Sequence, residues 1–448
     1  VLVSDDEVET QSMDSKLENG YSISLNKGYF YQYDKGYYIR PEATIVLSGN
    51  KVVAHVKAST GTGTISSNGD DLCGSDWRVY YRSNYCAANS SDYHYGTYGT
   101  GAVVAYSPTE KIVISETFKI LKSKSLKLSK TKIYGVENRD ASSASSLSQD
   151  SATLFYYDTE TLHYYPLIEG VDYTKTVTKA SEKKGLVTFT PASGSVWDGT
   201  KKKKYSLNSK TKLMFTDPSN ITVSLNYTRN SKTYTMGDYK EFEYTRSKIK
   251  GDTISVTLTT ADGTKLTSGT DYKVKFSSNK NAGIASIKIS PYGSYKKSYQ
   301  GTIVKYFRIM PYQMTPKYEN YISSSTSKQT TDPGLQQFCL DYAKAKGYYP
   351  SYVFSSSTSN SYTYSYTGGI VIPTYTRLDF NGNLFSKANT TSRTVLYVLN
   401  GKTKRSKTYD NSNPTGTPTC YVFGKGNYGG YAGSYRYTIK TSGSDSDD

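Results

Sequence analysis

Apolar and polar residues alternate in short runs along most of this chain, and Gly, Asn, Asp or Ser closes each run. Period-two alternation is the mark of half-buried β-strands, whose successive side chains point to opposite faces. The stretch YSISLNKGYFYQYDKGYYIRPEATIVLSGNKVVAHVKA, residues 21–58, predicts a meander turning at Asn-Lys-Gly, Asp-Lys-Gly and Ser-Gly-Asn. TYTRLDFNGNLFSKA, near the other end, predicts a hairpin turning at Asn381-Gly382. A helical period is expected once. Asp332 can cap, Pro333 suits the first turn, and Leu335, Phe338, Cys339 and Tyr342 share a face until Gly347 ends it.

One hairpin pattern recurs. SIKISPYGSYKKSYQGTIVKYFRI closes at Ile309, LVTFTPASGSVWDGTKKKKYSL at Leu207, TCYVFGKGNYGGYAGSYRYTI at Ile439, and the weaker AVVAYSPTEKIVISETFKI at Ile120. Phe118, Tyr205, Phe307 and Tyr437 lie two positions before those ends, so each aromatic and its terminal aliphatic residue are expected to share an inward face. Upstream, an aromatic-x-Gly-Thr/Ser step puts Gly301 and its counterparts where a bulge or corner needs a backbone without a Cβ. A second phrase also repeats, LIEGVDYTKTV against LTSGTDYKVKF, and the spacing from Asp172 to Gly185 resembles that from Asp271 to Gly283. Repetition at this scale points to tandem modules.

The expected division is a flexible lead or donated strand at 1–20, then a β module at 21–121 with a long Cys/Tyr loop. Two repeats follow at 122–208 and 209–311, then a module at 312–440 carrying the helix and a Tyr-rich insertion, and an acidic tail at 441–448. The acidic, polar opening reads as the start of a mature or trimmed protein.

Composition narrows the setting. The chain has 47 Tyr against 13 Phe, 2 Trp and 3 His, a choice that suits half-wet sheet faces because tyrosine packs its ring and keeps its hydroxyl in water. No run of about 18 apolar residues is present, so no membrane-spanning helix is expected. Cys73, Cys86, Cys339 and Cys420 form no CxxC pair and are read as disulfide partners in an oxidising compartment, the first two closing a short loop and the last two pinning the helix to the sheet. The net charge of +17 is spread over every module, with Lys201–Lys204 the densest run. That spread argues against nucleic acid and for a solvated strand edge.

The chemistry of the side chains does not point to an enzyme. His55, His94 and His163 are scattered, and no HExxH, GxSxG, Walker or dinucleotide motif occurs. No metal and no cofactor is expected. Trp77, Tyr80, Tyr81 and Tyr85 in the first insertion, and Tyr348, Tyr349, Tyr352, Tyr362 and Tyr364 in the last, are the candidate ligand-binding residues, since flat aromatics can stack on the C–H face of a sugar.

The pattern GTDYKVKFSSNKNAGIASIKI, then Gly/Tyr, then YQGTIVKYFRI resembles the immunoglobulin-like β-sandwich repeats found in tandem in large secreted and wall-attached proteins of Gram-positive bacteria, especially gut Firmicutes. The resemblance covers about half of the chain. It implies an all-β, elongated array of Ig-like sandwich modules serving as an extracellular adhesin or structural stalk. Glycan binding by the inserted aromatic loops and assembly into a surface filament are the alternatives. Expected partners are anionic wall polymers, host or dietary glycans, or copies of the chain itself.

Overall fold

The computed structural model describes residues 126–313 almost continuously, 160, 210 and 230 excepted, together with strands and short connections in 21–121 and 363–440. The expected lead at 1–20, helix after Asp332 and tail at 441–448 lie outside the described residues. The described chain is all β apart from single turns of helix at Leu128–Lys130 and Tyr295–Ser298. One compact unit contains Ser123–Met310; another joins Gln11–Lys122 with Pro311–Asp448. The first and last stretches, expected as separate modules, therefore share a unit. Pairing explains this in part. Tyr312–Gln313 runs parallel to Tyr428–Gly429, and the strand Ile112–Leu121 touches both Tyr312–Gln313 and Tyr431–Arg436.

Within the Ser123–Met310 unit the first repeat has two three-stranded antiparallel sheets. One joins Thr131–Tyr134, Thr153–Asp158 and His163–Pro166; the other joins Tyr173–Ser181, Lys184–Pro191 and Lys201–Ser206. The second repeat stacks Lys232–Thr235, Ile221–Arg229 and Ile254–Thr260 against Lys240–Glu243, Ile303–Met310, Gly283–Pro291 and Tyr272–Ser277. Alternation fills the space between its sheets: Ile221, Leu225 and Tyr227 from one layer meet Ala285, Ile287, Ile289, Phe307 and Ile309 from the other. Lys202, Lys203 and Lys204 lie exposed on an edge strand of the first repeat, where charge deters pairing with another chain.

The two repeats agree atom by atom at the Gly-x-Asp-Tyr phrase. Gly170 and Gly269 have φ of 83° and 85°, a conformation that costs glycine nothing. The Gly170 amide donates to the Tyr173 carbonyl at 2.7 Å and the Gly269 amide to that of Tyr272 at 2.8 Å. Asp172 Oδ2 accepts from the Ile168 amide and Asp271 Oδ2 from the Thr267 amide, each at 2.7 Å. The carboxylate thus closes the turn that launches each buried tyrosine into its strand. Asp271→Ala is expected to destabilise its repeat by about 1–2 kcal/mol, because the Thr267 amide loses a charge-assisted partner. Asp271→Asn, which keeps an acceptor oxygen, should cost less, and equal losses in urea unfolding would contradict this account.

All four closing strands end the same way. Ile120 lies beside Phe30, Ile309 beside Phe242 and Ile439 beside Tyr364 in short parallel pairings, and Asn208, just after Leu207, forms a parallel bridge with Ala141. Phe118, Ile120, Phe307 and Ile309 are buried as expected. Leu207 is only half-buried and stands beyond the end of its strand. Gly301 is at φ 88° and Gly199 at 74°, the corner geometry expected of the aromatic-x-Gly step. The spacing argument needs one correction. Gly185 pairs with Tyr205, but the residue opposite Phe307 is Ala285, and Gly283 pairs with Ile309. The shared device is a small residue beneath an aromatic one, seen again as Gly101 opposite Phe118.

Leu378–Phe380 pairs antiparallel with Asn383–Phe385; the turn expected at Asn381-Gly382 lies outside the described residues.

Candidate functional site

Two of the candidate aromatic residues, Trp77 and Tyr81, lie in the core. Trp77 is 2% exposed and Tyr81 1% exposed. Both belong to a core built from residues 21–120, with Val79, Val103, Ala105 and Phe118. Trp77 packs on Tyr21 at 5.3 Å, and the Tyr81 hydroxyl donates to the Pro41 carbonyl at 3.2 Å. Their assignment as ligand contacts is therefore corrected: a ring covered on both faces by the core has none left for a sugar. Tyr80 lies between them on the strand Arg78–Arg82, Tyr85 opposes Tyr38, and Tyr364 opposes Ile439. Tyr348, Tyr349, Tyr352 and Tyr362 lie outside the described residues, as do Cys73 and Cys339. Cys86 is on a strand opposite Tyr37, and Cys420 on one opposite Tyr435. His55 meets the Glu42 carboxylate at 2.8 Å, and His163 is buried near the Tyr165 hydroxyl.

The structure places a different constellation where the two consecutive repeats meet. From the first repeat, Tyr134 ends a strand and Gly135 turns the chain at φ 79° into Glu137 and Arg139. From the second come Asp238 and Tyr239, immediately before the strand Lys240–Glu243, and Lys305 and Tyr306 on the closing strand. Tyr239 takes φ 54°, unusual for a bulky residue, and its amide donates to the Tyr306 carbonyl at 3.0 Å. This bend lays the Tyr239 and Tyr306 rings parallel, 5.6 Å apart and 7° from coplanar. Tyr134 meets Tyr306 edge-on at 5.8 Å, and Phe155 packs on Tyr239 at 5.3 Å. Arg308 joins the repeats: it donates to Glu241 Oε1 at 2.7 Å and to the Tyr164 carbonyl at 3.2 Å, with its guanidinium 5.6 Å from the Phe155 ring.

Beside this aromatic seam opens a cleft of about 310 Å³, lined from both repeats. Its charges are partly matched. Arg139 bonds Asp150 at 2.6 Å, and Lys305 approaches Asp238 at 3.9 Å. Glu137 also lines the cleft, is 8% exposed, and forms no ion pair or side-chain hydrogen bond among the described residues. Its backbone is fixed instead, the Gln149 Nε2 amine donating to its carbonyl at 2.5 Å. Burial pushes the Glu137 carboxyl up to about 7; nearby Lys305 and Arg139 oppose the shift, while Asp238 and Asp150 reinforce it. For an acid raised in the folded state, the proton is held more tightly by the fold. The group therefore lowers stability progressively as pH climbs from its ordinary value through about 7. The Tyr239 hydroxyl is also buried without a hydrogen-bond partner among the described residues, and burial together with Tyr306 raises its pKa. No three His, Cys, Asp or Glu side chains converge among the described residues as a metal set.

Nothing in spacing could have announced this cleft, because its groups come from separate strand ends of two repeats. The nearest signal is the charged run Glu137-Asn138-Arg139-Asp140 in an otherwise neutral stretch.

No family model and no curated protein matches the chain. Among solved structures the chain is similar, at 9% identity, to cadherin-like domains 1 to 4 of zebrafish RET, over 94% of this chain and 66% of that one, with a TM-score of 0.11. That likeness is too slight to bear on function.

Proposed function

We propose that this chain is an extracellular, non-enzymatic surface protein of the adhesin or stalk type, whose Ig-like modules act as spacers. The observation that carries the reading is the bonded seam between consecutive repeats. Tyr134, Phe155, Tyr239 and Tyr306 interlock there, and Arg308 ties Glu241 of one repeat to the Tyr164 backbone of the other. A spacer must hold its modules in a set relation, and buried aromatic contacts with a doubly bonded arginine do so better than a polar linker.

A chain carrying +17 is drawn over long range to anionic polymers of a cell wall or matrix. The purified protein should co-sediment with anionic wall polymer at low salt and be largely released at about 0.5 M NaCl, where screening shortens the reach of exposed charges to a few ångströms. Retention that ignores salt, or the appearance of soluble fragments cut from the polymer, would overturn the reading.

A further inference from the structure

We propose that the cleft between the two repeats is a binding site for a small organic ligand bearing a primary ammonium group, with Glu137 as its counter-charge. This goes beyond the spacer reading and does not depend on it. Three features argue for that chemistry. First, the charge count leaves one carboxylate over. Arg139 is engaged by Asp150 and Lys305 by Asp238, so Glu137 alone faces the cleft without an ion-pair partner. Second, a glutamate that is only 8% exposed and has no ion-pair partner among the described residues is costly, and a fold retains such a group where something complementary meets it. In a chain with a net charge of +17, an unmatched negative site is also against the prevailing sign. Third, Tyr239 and Tyr306 line the same cleft. Both are only half-buried, which leaves apolar surface for the carbon frame of an amine.

A bare divalent ion fits less well, since the acidic groups of the described residues do not converge as ligands. A volume of about 310 Å³ accommodates a ligand of sugar or short-chain diamine size. Two sources of the same ammonium chemistry fit that volume, an amino sugar and an alkyl diamine.

The groups facing Glu137 are Lys305 and Asp238 of the second repeat and Arg139 and Asp150 of the first. Burial, opposed by the two cations and reinforced by the two carboxylates, leaves the Glu137 carboxyl ionising near neutral pH, so a permanently charged amine should bind more tightly as pH rises through that range.

The experiment is calorimetric titration of the full chain with cadaverine and with glucosamine, against glucose and N-acetylglucosamine at matched ionic strength. At least one amine should saturate a single site while the neutral sugars do not. Glucosamine alone would assign the amino sugar, cadaverine alone the diamine, and both the ammonium group itself. Glu137→Gln should weaken amine binding at least tenfold and abolish the rise in cadaverine affinity from about pH 6 to pH 8.5, a range in which cadaverine keeps its charge and the glucosamine amine loses it. Asp238→Asn, at an exposed position, provides an independent variant: it releases Lys305 to neutralise Glu137 and should weaken the amine at least threefold with the fold intact. Neutral sugars binding as well as amines, no saturable amine binding, or amine affinity unchanged in both variants would each overturn the proposal.

Discussion

Replacing Phe307 with alanine should destabilise the second repeat by about 3–5 kcal/mol, the range for deleting a fully buried aromatic ring from a core that cannot collapse around the gap. Phe307 is fully buried, lies opposite Ala285, and meets Phe242 edge-on at 5.6 Å. Neighbours on three strands shape the space it fills, since Phe242 belongs to the parallel strand Lys240–Glu243 and Ala285 to the antiparallel partner. The measurement is urea unfolding, with hydrogen exchange on Gly283–Pro291 and Ile303–Met310 to assign the loss to this repeat. Phe307→Leu should cost roughly a third as much, because most of the volume is kept. An alanine variant that loses under about 1 kcal/mol would show that the ring is not a core element.

The second large effect is expected at Gly185. A Cβ built there would run into the Tyr205 ring. Tyr205 has little freedom to retreat, because its hydroxyl donates to Asp140, and Asp140 accepts in turn from the Ser148 amide at 3.0 Å. Gly185→Val should therefore combine overpacking of about 1–3 kcal/mol with the loss of a buried charge-assisted hydrogen bond, for a total of about 3–4 kcal/mol. A double-mutant cycle isolates the cause. Gly185→Ala in a Tyr205→Leu background should cost at least about 1 kcal/mol less than in the native background. Additive losses would show that the glycine matters for its backbone and not for the ring above it.

These positions also show what alternation in a sequence can and cannot report. The strands and the inward column at Phe307 and Ile309 were legible because sheet burial imposes a period of two. The phrases around Asp172 and Asp271 were legible because a turn that needs a glycine at positive φ and a carboxylate on a nearby amide restricts its residues strongly. Counting residues failed between Asp271 and Ala285, since hairpins of different length shift the count while cross-strand pairing keeps the small residue beneath the aromatic one. Trp77 and Tyr81 read as ligand contacts because they are flat aromatics within the long first insertion. Yet Trp77, Val79 and Tyr81 alternate, and that alternation was the signal of a core strand. The cleft around Glu137 was not legible at all, because charge matching depends on which ion pairs form across two repeats.

The sharing of one compact unit by the first and last stretches bears on how the chain is made. The strand Ile112–Leu121 leaves the ribosome long before Tyr312–Gln313 and Tyr431–Arg436, the elements it packs against. Ser123–Met310 has its contacts close in sequence and can fold as it emerges. Synthesis thus imposes an order on the contacts: those between Ile112–Leu121 and the two C-terminal strands form last. Until those strands arrive, Ile112–Leu121 is held between Tyr29–Tyr31 and Gly99–Ser107 and lacks only its C-terminal contacts.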